Sequence, residues 1–242
     1  DGSMSFRSEK FNENFHSISG AYNETKNKFI NPSRLKRFKK KSINVLDICF
    51  GMGYNSALLF ENLIIELSIL NWYGLEFDKR PLNYALTDKK FYNLWNPKVI
   101  EMLNSLNLKD LYKNDNFDCN LIIGDARKEI LKLPREINFD LIYLDAFSPQ
   151  KCPELWSHEF LSLIKNKIKY EGYLITYTSS AAVRKSLRNL GFNLFNIRPT
   201  LSRKHNWSNG TLATFDKQQN NPYITQLSEM EIEHLNTKAS IP

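Results

Sequence analysis

Acidic residues follow, or close, four apolar runs of strand length in this chain, and their placement is the first sign of chemistry. Asp47 lies in "VLDICFGMGYN", Glu76 and Asp78 in "YGLEFDKRP", Asp125 in "LIIGDARKEI" and Asp145 in "FDLIYLDAFSPQKCPELW". A continuous apolar run reads as a strand buried on both faces, where an acid is poorly tolerated, so each acid belongs at or near the carboxyl end of its strand. In open α/β sheets that edge is where ligands bind. Carboxylates placed there can accept hydrogen bonds from ribose hydroxyls, an exocyclic amino group or an alkyl amine. Gly51 and Gly53, after the first run, let the backbone turn tightly and approach such a ligand before a helix begins.

Positioning these acids requires a sheet. Strands are expected over 43–48, 71–77, 119–124, 139–145 and 172–178. Between them the spacing predicts helices over 55–68, from Pro81, over 126–133 and over 157–169. "TSSAAVRKSLRNLGF" reads as a further helix, with Ser179 or Ser180 as N-cap and Gly191 as its stop. Such alternation implies βαβ units and a parallel sheet. Two more strands, 192–199 and 210–215, have no helix between them and predict an antiparallel pair at the end of the sheet. One α/β domain over 42–215 is therefore expected, after an N-terminal extension at 5–41 and before a peripheral polar tail at 216–242 with a short helix near "LSEMEIEHL". Asp1–Met4 reads as a tag remnant and is set aside.

The 242 residues carry 33 Lys and Arg against 26 Asp and Glu, a net charge of +7 that favours an acidic partner such as nucleic acid without establishing one. The run "RLKRFKKK", 34–41, is either a solvated face or a phosphate contact. Cys49, Cys119 and Cys152 have no paired spacing and predict reduced thiols and a cytoplasmic protein. Four scattered histidines give no metal-ligand pattern, so no metal is expected. No apolar run approaches the ~18 residues of a membrane span, so no membrane partner is expected.

The pattern Asp47-x-x-x-Gly51-x-Gly53 resembles the S-adenosylmethionine loop of class I methyltransferases. A dinucleotide fingerprint would want a third glycine near position 56, where Ser56 stands. On this reading Asp47, Phe50, Gly51, Gly53 and Asn55 serve the cofactor. Glu76 accepts from the ribose hydroxyls, with Asp78 as the alternative two residues on. Asp125 accepts from the adenine amino group while the Ala126 N–H reaches a ring nitrogen; alternatively, Asp125 only N-caps the next helix. Asp145 and Phe147 complete the cofactor set. The fold expected is thus α/β, Rossmann-like and class I methyltransferase in type: a mostly parallel, doubly wound sheet with an antiparallel C-terminal strand pair.

A narrower resemblance rests on "DICFGMGYN", "GDARKEI", "LDAFSPQKCPELW" and "TYTSSAAVRKSLRNLGF", and on "GAYNETKNKF" near the N-terminus. Together these resemble the methyltransferase domain of MnmC-type tRNA wobble-uridine modification enzymes, over about residues 15–215. Cys49 and Cys152 depart from the family pattern, where a small Gly and an Asn are usual. The resemblance implies methyl transfer from S-adenosyl-L-methionine to 5-aminomethyluridine, or its 2-thio form, with the tRNA anticodon region as partner and a separate enzyme supplying the aminomethyl group. Longer members carry a flavin-dependent oxidase, for which 242 residues leave no length, so flavin chemistry is not expected. Asp145 would take an amine proton and orient the lone pair, with Tyr177 as a second catalytic candidate or a core residue. Phe147 and Pro149 would wall the substrate from water, and Arg203 and Lys204 would contact tRNA phosphates. Two alternatives stand: an aminopropyltransferase of the spermidine synthase type, which would want a second acid in "DAFSP", and a non-catalytic tRNA-binding protein on the same fold.

Overall fold

The computed structural model describes residues 1–17, 20–198, 210–217 and 220–237. A two-residue antiparallel pair, β1 (Arg7–Ser8) and β2 (Glu13–Asn14), lies ahead of the main sheet. That sheet contains β3 (Ser42–Ile48), β4 (Ile69–Glu76), β5 (Leu111–Lys113), β6 (Phe117–Ile123), β7 (Phe139–Leu144), β8 (Ile168–Thr176), β9 (Asn193–Ile197), β10 (Thr211–Thr214) and β11 (Ile224–Gln226). Its strand order among the described residues is β11-β9-β10-β8-β7-β3-β4-β6-β5. The centre, β8-β7-β3-β4-β6, is parallel, and both flanks are antiparallel.

The apolar runs work as the period of two requires. Val45, Leu141, Tyr143 and Ile175 face one apolar layer, while Leu46, Ile48, Ile142, Leu144 and Leu174 face the other. Helices Tyr54–Ile65, Arg80–Thr87, His158–Lys165 and Ala181–Asn189 cover these faces near the expected positions. The helix expected over 126–133 is one turn, Ala126–Glu129. Ser180 holds the N-cap position before Ala181. The expected antiparallel pair is β9 and β10, with β10 lying between β8 and β9.

Three parts differ from expectation. Helix Pro97–Lys109, capped by the Asn96 side chain accepting from Val99 N–H at 3.1 Å, was not anticipated, nor was the short edge strand β5 after it. The segment expected to be a peripheral tail instead extends the sheet with β11, while its expected short helix forms at Glu229–Leu235, where Ser228 and Glu231 make a capping box. There the buried Arg184 guanidinium donates to Glu231, Asn196 and Thr211, joining the tail to the helix after β8. Burial opposes ionisation of Glu231, but hydrogen bonds from Ser228, Asn196 and Arg184 outweigh it and hold the carboxyl down at about 2. Finally, the extension folds onto the domain. Helix Ala21–Thr25 runs into a π-helical turn, Lys26–Ile30, and then Asn31–Ser33. Phe29 packs edge-on to Tyr143, and Ser33 shares a hydrogen bond with the Tyr143 hydroxyl. Asn221 donates its side-chain amide to the Pro32 carbonyl at 2.8 Å, and Arg34 donates to the Asn220 carbonyl.

Candidate active site

Register brings the acids together. Ile48 aligns with Leu75 on one side and Leu144 on the other, and Glu76 aligns with Ile123. The carboxyl ends of β3, β4, β6 and β7 are therefore level, and a cavity of about 1190 Å³ opens over them. Pockets for one small ligand run to about 1,000 Å³, so this space exceeds the usual range for one. The segment from Phe6 to Ser17 and the helix carrying Glu24, Thr25 and Lys28 also line the cavity.

The loop after β3 turns sharply. Gly51 and Gly53 both have positive φ, 59° and 87°, and a Cβ on Gly53 would sit 2.9 Å from the Phe50 ring. Cys49 adopts φ 67°, a left-handed conformation that suits the glycine usual at this position in the family. The Glu76 carboxylate ties the loop to β4: Oε2 accepts from Gly51 N–H at 2.7 Å, and Oε1 accepts from Phe77 and Asp78 N–H at 2.7 and 2.9 Å. Burial nevertheless raises its pKa above the ordinary range, with those three N–H groups pulling the other way.

Asp145 begins the loop after β7, its N–H donating to the Ile48 carbonyl. Asp145 is half-buried and lines the cavity. Oδ2 accepts from the Asn55 amide at 2.7 Å, whereas Oδ1 has no hydrogen-bond partner among the described residues. Burial pushes its carboxyl up to about 8; Glu24 adds to the rise, and the Asn55 hydrogen bond opposes it. Glu24 and Lys28 form a buried ion pair at 2.8 Å, and Glu24 also accepts from Ser17 N–H. Burial opposes the charge on Glu24, but Lys28, Ser17 and His16 outweigh it and lower its pKa. Burial brings His16 down to about 4 against the pull of Glu24, so its ring is neutral at pH 7. The Tyr177 ring lies 5.8 Å from Lys28 Nζ, and burial raises the pKa of its hydroxyl. Phe147 stacks on Phe11 with centroids 4.5 Å apart and meets Phe15 edge-on. Glu13 accepts from both the N–H and the hydroxyl of Ser148, fastening this cover to the loop after β7.

Among the residues read from sequence, Phe50, Gly51, Asn55, Glu76, Asp78, Asp125, Ala126, Asp145, Phe147 and Tyr177 line the cavity. Asp47, Gly53 and Pro149 do not. Asp47 is fully buried inside β3, one residue short of its end, where it accepts from the Ser56 hydroxyl at 2.5 Å and braces the helix behind the loop. Gly53 makes the turn behind the lining, at φ 87°. Asp78 and Asp125 are held by Arg80 and Arg127, which lower both pKa values. Asp125 also caps the turn at Ala126, accepting from Arg127 N–H at 3.0 Å, while it lines the cavity. Arg203 and Lys204 lie outside the described residues. The sequence reading missed Glu24, Thr25, Lys28, His16, Phe11 and Phe15. For Glu24 and Lys28 the available signal was an i,i+4 acid–base pair set between Ala21 and Phe29–Ile30.

No group of three His, Cys, Asp or Glu side chains among the described residues is placed to hold a metal, and no helix there is long and apolar enough to cross a membrane.

A parallel sheet closed by an antiparallel strand pair, with a glycine loop tied to an acid on the next strand, defines the class I methyltransferase architecture. A family model described as S-adenosyl-L-methionine-dependent methyltransferase matches residues 89–213. The chain belongs to that family, and within it to the MnmC-type methyltransferase domains. The crystal structure of MNMC2 from Aquifex aeolicus is 32% identical, with a TM-score of 0.82 over 100% of this chain and 75% of that one. An uncharacterised protein of Methanocaldococcus jannaschii is 34% identical over 197 residues, 79% of this chain and 52% of its own. The tRNA 5-methylaminomethyl-2-thiouridine biosynthesis bifunctional protein MnmC of Campylobacter hominis is 28% identical over 194 residues, 75% of this chain and 28% of its own. The chain thus spans about half, or less, of the length of these two curated relatives.

Proposed function

We propose that this domain methylates the exocyclic amine of 5-aminomethyluridine, or its 2-thio form, at the tRNA wobble position, giving the 5-methylaminomethyl nucleoside. The observation that carries the reading is Asp145: a carboxyl at the end of β7 that lines the large cavity, with one oxygen fixed by Asn55 and the other without a partner among the described residues. The donor set fits S-adenosyl-L-methionine. Glu76, already oriented by three N–H groups, has lone pairs left for two ribose hydroxyls; Asp125 and Ala126 would take the adenine; the loop at Phe50 and Gly51 would take the amino-acid end. When bound, the cofactor supplies a methyl group that leaves its sulfonium sulfur as the amine lone pair forms the new N–C bond.

The chain's own task is to present that lone pair. An alkylammonium carries one proton too many, and Asp145 Oδ1 would accept it and turn the nitrogen toward the cofactor. Phe147, backed by Phe11 and Phe15, would exclude water at the cavity wall. Tyr177 adds a hydroxyl beside the same acid. Lys10, Arg80 and Arg127 around the mouth suit the phosphates of an anticodon stem-loop. On this reading the protein would work in the cytoplasm, on tRNA to which a separate enzyme has already given the aminomethyl group.

The test is incubation with methyl-labelled S-adenosyl-L-methionine and tRNA carrying unmodified, aminomethyl or carboxymethylaminomethyl wobble uridine, followed by nucleoside analysis. Label confined to 5-methylaminomethyluridine from the aminomethyl tRNA is expected. Label in another nucleoside, transfer to a polyamine acceptor, or no label overturns the proposal.

A further inference from the structure

Asp145 is held by Asn55, and Asn55 is held in turn by Thr25. The Asn55 amide N–H donates to Asp145 Oδ2 at 2.7 Å, and the Thr25 hydroxyl donates to Asn55 Oδ1 at 2.9 Å. These residues come from three elements: the N-terminal helix, the first turn after the glycine loop and the end of β7. Thr25 is 1% exposed and Asn55 6%, so bulk water does not replace either bond.

We infer that Thr25 is a positioning residue for Asp145, acting through the Asn55 amide. A primary amide presents two unlike faces of nearly the same shape. With its NH2 toward Asp145 it favours the carboxylate and fixes Oδ2, leaving Oδ1 without a partner among the described residues on a side chain that lines the cavity; turned over, it would set a carbonyl oxygen against that carboxylate. The Thr25 donor satisfies the carbonyl on the far side and polarises the amide, which strengthens its bond to Asp145. The same helix also brings charge to the acid, since Glu24 opposes and Lys28 favours its ionisation. Asp47 on β3, Cys49 in the loop and Tyr177 after β8 complete the titratable groups coupled to it. The N-terminal helix thereby sets both the aim and the charge of an acid some 120 residues away. This inference rests on Asp145 taking the substrate proton.

The experiment compares Thr25→Val, which keeps the shape and deletes the hydroxyl, with Thr25→Ser, which restores it. Carbon-detected NMR reads the Asp145 carboxyl titration directly, and steady-state rates with aminomethyl tRNA read kcat and KM. In Thr25→Val the titration midpoint should rise by about half a unit and kcat fall about five-fold, with KM for S-adenosyl-L-methionine unchanged, and Thr25→Ser should recover both. Should the valine variant not fold, as judged by circular dichroism, Thr25→Ala carries the same comparison. An Asp145 midpoint identical in wild type and Thr25→Val overturns the inference. If the wild type methylates no tRNA, the functional reading fails instead, and the titration still decides whether Thr25 acts on Asp145.

Discussion

Replacing Asp145 by Asn keeps the shape of the side chain but removes its capacity to take a proton. An alkylammonium resembling lysine titrates near ~10. Asp145 is pushed up to about 8, by burial first and Glu24 second. The gap of about 2 units costs about 2.7 kcal/mol to cross, against about 8 kcal/mol for an ordinary aspartate near ~4. Burial therefore makes this carboxyl a far better proton acceptor for an amine. In the proposed mechanism Asp145 acts as the carboxylate, so kcat/KM should rise as pH climbs through about 8. In Asp145→Asn that limb should move to the amine's own titration near ~10, and turnover at pH 8 should fall about 10²- to 10³-fold. Affinity for S-adenosylhomocysteine, read by calorimetry, should change less than about three-fold, because Glu76 and the glycine loop are untouched. Stability supplies an internal control. The folded carboxyl binds its proton more tightly than the unfolded one, so its contribution is complete at low pH and is lost as pH rises from ~4 through about 8. The asparagine variant should therefore melt higher than wild type at pH 8 and converge with it toward pH 4. A limb near pH 8 that survives in Asp145→Asn, or turnover within about three-fold of wild type, refutes the proton-acceptor role.

Glu76→Gln removes the charge that holds Gly51, Phe77 and Asp78 N–H, and should weaken S-adenosylhomocysteine binding about 10- to 100-fold by calorimetry; unchanged affinity would take Glu76 out of the cofactor site. Cys49→Gly should relieve a left-handed backbone that costs a side-chain-bearing residue about 1 kcal/mol, partly offset by glycine's greater freedom when unfolded. A rise in Tm of about 2 °C is expected, and a fall would mean that the thiol's packing outweighs the strain.

The strand ends were legible because an apolar run that stops at an acid leaves little choice of place: β7 gives way to Asp145, and β4 ends on Glu76 itself. Asp47 shows the limit of that rule. One residue of register moves it from the ligand edge into the sheet, where the Ser56 hydroxyl meets one of its two oxygens. The cavity cover was illegible for a different reason. An amphipathic reading sends Glu24, Thr25 and Lys28 to solvent, whereas the fold turns them inward against Asn55, His16 and Asp145. The π-helical turn at Lys26–Ile30 further breaks the spacing that would reveal the helix. β11, at three residues, is too short to show a period of two, so 216–242 read as a tail until the Arg184–Glu231 contact placed it.

The hydrogen bond from Asn221 to the Pro32 carbonyl spans 189 residues of sequence. With the neighbouring contact between Arg34 and Asn220, it pins the base of the N-terminal helix to the segment leading into β11. Phe29 and Ser33 tie the same segment to Tyr143 on β7, and Thr25 ties it to Asn55. The two ends of the chain therefore support one another: a truncation that removes residues from 220 onward would take two partners from the segment that carries Glu24, Thr25 and Lys28, and with them part of the support under the cavity's cover.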